Sequence, residues 1–203
     1  MTGRGGRDNG DVPAFGRPRS GPASVADAQQ AANREAQAGR PGGGAETSPT
    51  GRPGAAPDGL PARIRRGEDD EVRRSLEMEN SGAANLAAHG FQVRQNPTTA
   101  EVARARLDTG DTGDPASRPD YLIEGRVFDC YSPTNPAKKP RGIWTEVGQK
   151  VAEGQTQRVV VNLQDWRGDE SALRRQFLDW PIAGLKELKV ITPDGDIVQM
   201  PLS

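Results

Sequence analysis

The sequence has few of the residues from which a hydrophobic core is built. Only 33% of its 203 residues are hydrophobic and 4% are aromatic, which is too little apolar surface to fold the whole chain. The shortage is concentrated in residues 1–70, which hold 14 of the 25 glycines and 8 of the 17 prolines. We therefore predict a disordered Gly/Pro/Arg-rich linker over residues 1–67 and a folded domain over residues 68–203.

Other absences exclude whole classes of chemistry. A single cysteine, Cys130, excludes an intrachain disulfide and a cysteine-based zinc cluster, and a single histidine, His89, excludes acid–base catalysis by a histidine pair. No apolar run approaches the ~20 residues of a membrane-spanning helix, and no apolar segment near the N-terminus predicts a signal peptide. The net charge of −1 gives no overall basic field, so any nucleic-acid contact must come from a local groove.

The hydrophobic pattern of the remaining chain predicts a mixed α/β (α+β) domain. The predicted elements are a helix over Asp69–His89, a strand over Phe91–Gln95, a helix over Thr98–Leu107, a hairpin over Asp120–Tyr131, a helix over Ile143–Glu153, a buried strand over Arg158–Leu163, a helix over Ser171–Leu178, and a last hairpin of Leu188–Ile191 with Ile197–Met200. The resulting core order is helix, strand, inserted helix, two strands, helix and strand.

Two aspartates flank the predicted hairpin. If Glu124 and Gly125 form its two-residue turn, Asp120 and Asp129 lie directly opposite each other on one face. Like charges in that position destabilise a sheet by up to ~1 kcal/mol. Such a pair is either screened by solvent at the hairpin edge or used to bind a cation, and clustered carboxylates are the ligands that Mg²⁺ uses beside phosphate oxygens.

Two further side chains are placed where they could complete a site. The apolar stripe of the first helix is predicted to consist of Val72, Leu76, Ala83 and Leu86, and Glu79 falls within it, between Leu76 and Ala83, where an unpaired charge is costly. Lys150 is the one lysine on the inner stripe of a helix, and it could neutralise charge that develops at phosphorus. The alternative for both is a side chain that reaches solvent over the core. Asn80, Gln155 and Arg158 are weaker candidates for contacts with substrate.

These residues also carry a resemblance to a known family. Glu79-Asn80, Pro119-Asp120-Tyr121-Leu122-Ile123, Val127-Phe128-Asp129, Lys150, Gly154-Gln155 and Arg158-Val-Val-Val161 together resemble the C-terminal toxin domain of CdiA-type contact-dependent growth inhibition proteins. That family consists of tRNA nucleases within the PD-(D/E)xK, restriction-endonuclease-like group, and the resemblance covers about residues 73–200. The lysine usual in the group, two residues after the second acid, is replaced by Tyr131.

The resemblance implies a restriction-endonuclease-like core of helix, three strands, helix and strand. It also implies metal-dependent hydrolysis of tRNA in which Glu79, Asp120 and Asp129 bind a divalent ion, Mg²⁺ first and Mn²⁺ or Zn²⁺ as alternatives. Lys150 would supply the lysine from the following helix. Implied partners are tRNA and a cognate immunity protein, and the implied location is the cytoplasm of a target cell. A DNA nuclease of the same fold, or a non-catalytic partner-binding module, is the alternative.

Overall fold

The order of helices and strands in the structure matches the order that the hydrophobic pattern predicts. A computed structural model describes residues 46–202, in which four helices flank a seven-stranded sheet. The helices are α1 (Asp70–Ala88), α2 (Thr99–Thr109), α3 (Pro140–Ala152) and α4 (Glu170–Asp179). The strands are β1 (Asp58–Gly59), β2 (Val93–Gln95), β3 (Tyr121–Ile123), β4 (Arg126–Tyr131), β5 (Arg158–Asn162), β6 (Glu187–Ile191) and β7 (Ile197–Gln199).

The strands lie in the sheet in their order along the chain. β2, β3 and β4 form an antiparallel meander, whereas β4, β5 and β6 run parallel and β7 returns antiparallel to β6. Parallel neighbours need a crossover connection, and α3 and α4 supply those between β4 and β5 and between β5 and β6. The mixed α/β class and the core order predicted from the sequence are therefore confirmed.

Both faces of the sheet are covered, and β5 lies at its centre. All five residues of β5 are buried, as the Val-Val-Val run predicts for a strand with two covered faces. Val159 and Val161 belong to the core beneath α3 and α4, whereas Val160 belongs to the core beneath α1. Side chains alternate between faces along a strand, so successive residues of β4 and β5 pack against helices on opposite faces of the sheet.

The helix boundaries follow from local capping. The Asp69 carboxylate accepts the backbone N–H of Glu71 at the start of α1, and Thr98 forms a capping box with Glu101 at the start of α2. The predicted apolar stripe of α1 is wrong at its first member, because Val72 is 44% exposed. The buried part of α1 begins only at Gly82. No helix within residues 46–202 has the length and apolarity needed to cross a bilayer.

The segment 46–67 differs from the prediction of a linker. We call these residues the N-terminal segment. Its Thr47 is buried and bonds Glu187, its Asp58–Gly59 pair adds β1 beside β2, and its Ala62 N–H donates to the Asn80 side chain. Polar contacts, rather than apolar burial, hold it to the domain, and composition gives no signal for such contacts. Residues 1–45 of the predicted linker lie outside the described part of the chain.

Candidate active site

The turn between β3 and β4 has the register on which the two-aspartate prediction depends. Glu124 and Gly125 both have positive φ, 51° and 73°, as a tight two-residue hairpin turn requires. Tyr121 pairs with Phe128, Leu122 with Val127 and Ile123 with Arg126. The predicted pairing is thus confirmed at all three positions that lie within both strands.

Asp120 and Asp129 lie side by side just beyond those pairs. The Cys130 backbone N–H donates to Asp120 Oδ2 at 2.7 Å and to Asp129 Oδ1 at 3.1 Å, so both carboxylates share one donor. Burial, a hydrogen bond with Asp129, and the charges of Asp129 and Glu79 raise the pKa of Asp120 well above its ordinary value. The negative charge of Asp129 thus disfavours ionisation of Asp120, a cost that a cation bound between the two carboxylates would reduce.

Glu79 adds a third carboxylate from α1. A Cβ at Gly82, one turn further along the helix, would lie only 3.2 Å from the Tyr121 hydroxyl, so α1 approaches the hairpin closely. The Tyr121 hydroxyl donates to the Glu79 backbone carbonyl and fixes this approach. Glu79 Oε1 is buried and has no hydrogen-bond partner among the described residues. Burial, and then the charge of Asp129, raise the pKa of Glu79 to about 7.

Lys150 reaches the same acids from α3. Asp129 pairs with Val159, so it faces the layer that α3 covers. The Lys150 ammonium donates to Asp129 Oδ2 at 3.0 Å and lies 3.4 Å from Gln155 Oε1. Burial acts to lower the pKa of Lys150, but the charges of Asp129 and Asp120 outweigh it and the pKa is raised. Lys150 is consequently protonated at neutral pH.

All four predicted catalytic side chains line one open pocket of about 350 Å³. Gln155 also lines it, as predicted. Sequence reasoning missed five other lining residues, Ser75, Ser117, Arg118, Cys130 and Ser132. Their positions offered a partial signal, because Ser75 precedes Glu79 by one helical turn and Arg118 precedes Asp120 by two residues. Serines and a lone loop arginine are too common on protein surfaces for that spacing to single them out.

Arg158 and Asn80, which were predicted as weaker candidates for contacts with substrate, do not line the pocket. Arg158 is 1% exposed and its guanidinium is bound by Asp111 and Glu187. Arg158 directly precedes Val159 in β5, and Val159 pairs with Asp129. Because side chains alternate along a strand, Arg158 points to the opposite face of the sheet from Val159 and Asp129. The Asn80 amide binds the backbone of Ala62 and the Gln95 side chain, and so holds the N-terminal segment.

The carboxylates of the pocket are candidate ligands for a metal ion. Within residues 46–202, no group of three or more His, Cys, Asp or Glu side chains is placed so that it could hold a metal ion by itself. The paired carboxylates of Asp120 and Asp129 are nevertheless the kind of ligand used by an ion that takes its other ligands from water and substrate phosphate. Glu79 Oε1, which has no hydrogen-bond partner among residues 46–202, lies on the same pocket. Mg²⁺ is commonly bound in this way, through one or two carboxylates.

The geometry defines an α/β domain with an acidic pocket that contains one lysine, and similarity to known proteins identifies its family. Residues 117–197 match the model of the contact-dependent growth inhibition CdiA C-terminal domain. The chain is 37% identical over 139 residues to tRNA nuclease CdiA-2 of Burkholderia pseudomallei (strain 1026b). That match covers 68% of this chain but only 4% of the relative, so the chain spans a small part of that protein's length.

A solved structure gives the same result. The CdiA-CT/CdiI toxin and immunity complex from Burkholderia pseudomallei contains a chain that is 34% identical and superposes with a TM-score of 0.60. The match covers 72% of this chain and 100% of that one. The chain therefore belongs to the CdiA C-terminal toxin domain family, which confirms the resemblance predicted from the sequence at the level of the family.

Proposed function

We propose that the chain is a metal-dependent endoribonuclease that hydrolyses tRNA phosphodiester bonds after delivery into the cytoplasm of a target bacterium. The observation that carries the proposal is the convergence of Glu79, Asp120, Asp129 and Lys150 on one pocket. Support for the substrate comes from the 37% identical relative, which is named a tRNA nuclease. The fold alone does not select RNA over DNA.

Each side chain has a role that follows from its surroundings. Asp120, Asp129 and Glu79 would hold the divalent ion, for which Mg²⁺ is the first choice and Mn²⁺ or Zn²⁺ are alternatives. When bound, such an ion polarises a phosphoryl oxygen and offsets the charge that develops in the transition state. Lys150 keeps its proton at neutral pH because its pKa is raised. It therefore supplies positive charge beside the scissile phosphate rather than accepting a proton.

We further propose that the domain is related to the PD-(D/E)xK nucleases, and the order of its acidic residues and lysine along the chain supports this. The acids follow the expected order, with a helix glutamate, then the two hairpin aspartates, then a lysine. The lysine comes from α3 instead of from the second strand, where Tyr131 stands. Lys150 Nζ lies 3.0 Å from Asp129 Oδ2. The lysine on α3 therefore reaches the second aspartate, next to which the usual lysine of the group would lie on the strand.

A cognate immunity protein completes the proposal. The similar solved chain belongs to a complex of toxin with an immunity protein, and a producing cell that makes an active ribonuclease needs such a protector. We expect the protector to cover the acidic pocket, because blocking access there prevents hydrolysis without unfolding the toxin.

The proposal is tested by incubating the purified full chain with total RNA and with duplex DNA, with Mg²⁺ or with EDTA. We expect cleaved tRNA with Mg²⁺ and intact tRNA with EDTA. Intact tRNA under both conditions, beside cleaved DNA, would contradict the assignment to tRNA. Cleavage that persists in EDTA would contradict the metal dependence.

A second test separates an enzyme from a non-catalytic binding module. Wild type and Asp120→Ala are expressed in a host cell without a protector, and growth is measured. If the chain is an enzyme, we expect the wild type to arrest growth and Asp120→Ala to be harmless at the same protein level. Equal toxicity, or equal harmlessness, would favour the partner-binding alternative.

A further inference from the structure

The acidic pocket poses an electrostatic problem for a polyanionic substrate. Three carboxylates line it, together with the two cations Lys150 and Arg118. The Lys150 ammonium is already engaged by Asp129 and Gln155. The proposed divalent ion would offset the charge of the scissile phosphate, so the neighbouring phosphates of a nucleic-acid backbone need further positive charge at the mouth of the pocket.

Arg118 is placed to supply that charge. Its side chain is exposed and lines the pocket two residues before Asp120. None of the ion pairs between residues 46 and 202 includes Arg118. By contrast, Arg74, Arg94 and Arg158 are each bound by a carboxylate. As far as residues 46–202 are concerned, the guanidinium of Arg118 is thus available to bind a ligand.

The loop that carries Arg118 is held in place from behind. Arg106 of α2 donates to the Asp114 carbonyl at 2.8 Å, to Ser117 Oγ at 2.9 Å and to the Gln155 carbonyl at 3.1 Å. The Asp114 N–H also donates to the Gly154 carbonyl at 2.8 Å. These bonds fasten the segment before Arg118 to the turn that follows α3, so one wall of the pocket is ordered before substrate arrives.

We propose that Arg118 binds a backbone phosphate of the RNA at the mouth of the pocket, beside the scissile phosphate. The guanidinium is planar and presents paired N–H donors, a geometry that matches two phosphate oxygens. The inference rests on the proposed nuclease function and adds a substrate-binding residue to it. Arg118 holds the strand, whereas the carboxylates and Lys150 act on the bond that breaks.

The test measures RNA binding without cleavage. Labelled tRNA is titrated with the full chain carrying Asp120→Asn, alone or combined with Arg118→Ala, Arg118→Lys or Arg104→Ala, at constant Mg²⁺ and several salt concentrations. Arg104 is the control, since it is exposed on α2 and paired with Asp108. We expect Arg118→Ala to weaken binding about 5- to 10-fold and to reduce the slope of log affinity against log salt by about 0.7–0.9.

The other variants sharpen the outcome. Arg118→Lys should keep the salt slope, because the charge remains, but lose part of the affinity with the paired donors. Arg104→Ala should change neither quantity. Equal affinity and equal slope for Arg118→Ala and its parent would overturn the inference. Cleavage of tRNA by the wild-type chain is scored separately, so a failure of the proposed function is distinguished from a failure of the Arg118 contact.

Discussion

At the scale of the residue, Glu79 carries a charge that its surroundings accommodate poorly. Its Oε1 is buried without a hydrogen-bond partner among residues 46–202, and its pKa is raised to about 7. The folded protein therefore holds a proton that the unfolded chain releases near pH 4.5. The contribution of the Glu79 proton to the free energy of unfolding is fully present below about pH 4.5, and it is lost as the pH rises to about 7.

Replacing Glu79 by glutamine should remove that loss. We predict that Glu79→Gln raises the free energy of unfolding at pH 8 by on the order of 1 kcal/mol, allowing for solvent screening in an open pocket. At pH 5, where Glu79 is protonated, the variant and wild type should be nearly equal. Urea denaturation in metal-free buffer measures both values, and RNA cleavage by the variant should be lost.

The matched control is Glu77→Gln, an exposed glutamate on the same helix. It should leave stability unchanged at both pH values. Parallel pH profiles for wild type and Glu79→Gln would contradict the account of Glu79. Saturating Mg²⁺ should narrow the difference at pH 8, because a bound cation stabilises the ionised carboxylate.

At the scale of the element, the register of the β3–β4 hairpin could be predicted from the sequence. The contacts of Arg158, on the face of the sheet opposite Asp129, could not. Glu124-Gly125 is a strong turn signal between two apolar runs, so it fixed the β3–β4 register and with it the shared side of Asp120 and Asp129. Glu79 and Lys150 followed from helical periodicity. Arg158 was misassigned because a buried strand carries apolar residues on both faces, and sequence alone did not show where its flanking arginine would find partners.

Arg158 instead anchors a buried ionic network. It pairs with Asp111 and Glu187, and Glu187 also pairs with Lys189. We predict that Arg158→Ala lowers the free energy of unfolding by about 3–5 kcal/mol, because two buried carboxylates each lose one of their cationic partners. The urea midpoint measures this loss, and Arg104→Ala, which breaks only an exposed pair, should shift the midpoint by far less.

The same variant tests the correction of its role. A folded fraction of Arg158→Ala, or of the milder Arg158→Lys, should cleave RNA at the wild-type rate, since Arg158 lies away from the pocket. A loss of affinity for RNA without a loss of stability would show that Arg158 binds substrate, and it would contradict the buried, structural role of this side chain.

At the scale of the whole molecule, the N-terminal segment joins distant parts of the domain. Thr47 donates through its backbone N–H and its hydroxyl to Glu187 of β6, and Thr50 makes the same pair of bonds with Glu124 at the β3–β4 turn. Composition predicted a linker here because the segment has little apolar surface to bury. Hydrogen bonds between residues 140 positions apart in the chain leave no local pattern to detect.

The two threonines form a matched pair for experiment. We predict that Thr47→Val lowers the free energy of unfolding by about 1.5–3 kcal/mol, since its hydroxyl bonds a buried carboxylate. Thr50→Val removes the same type of bond at an exposed site and should cost clearly less, below about 1 kcal/mol. Urea denaturation of both variants measures the difference. Equal small losses would show that the N-terminal segment does not stabilise the domain.

The central claim is that Glu79, Asp120, Asp129 and Lys150 act together as one phosphodiesterase site. Its most direct test is the single-turnover rate of tRNA cleavage with Mg²⁺ by wild type, Asp129→Asn and the exposed control Asp108→Asn. We predict that Asp129→Asn lowers the rate at least about 100-fold while the protein stays folded, and that Asp108→Asn cleaves like wild type. Cleavage by Asp129→Asn at the wild-type rate would contradict the account.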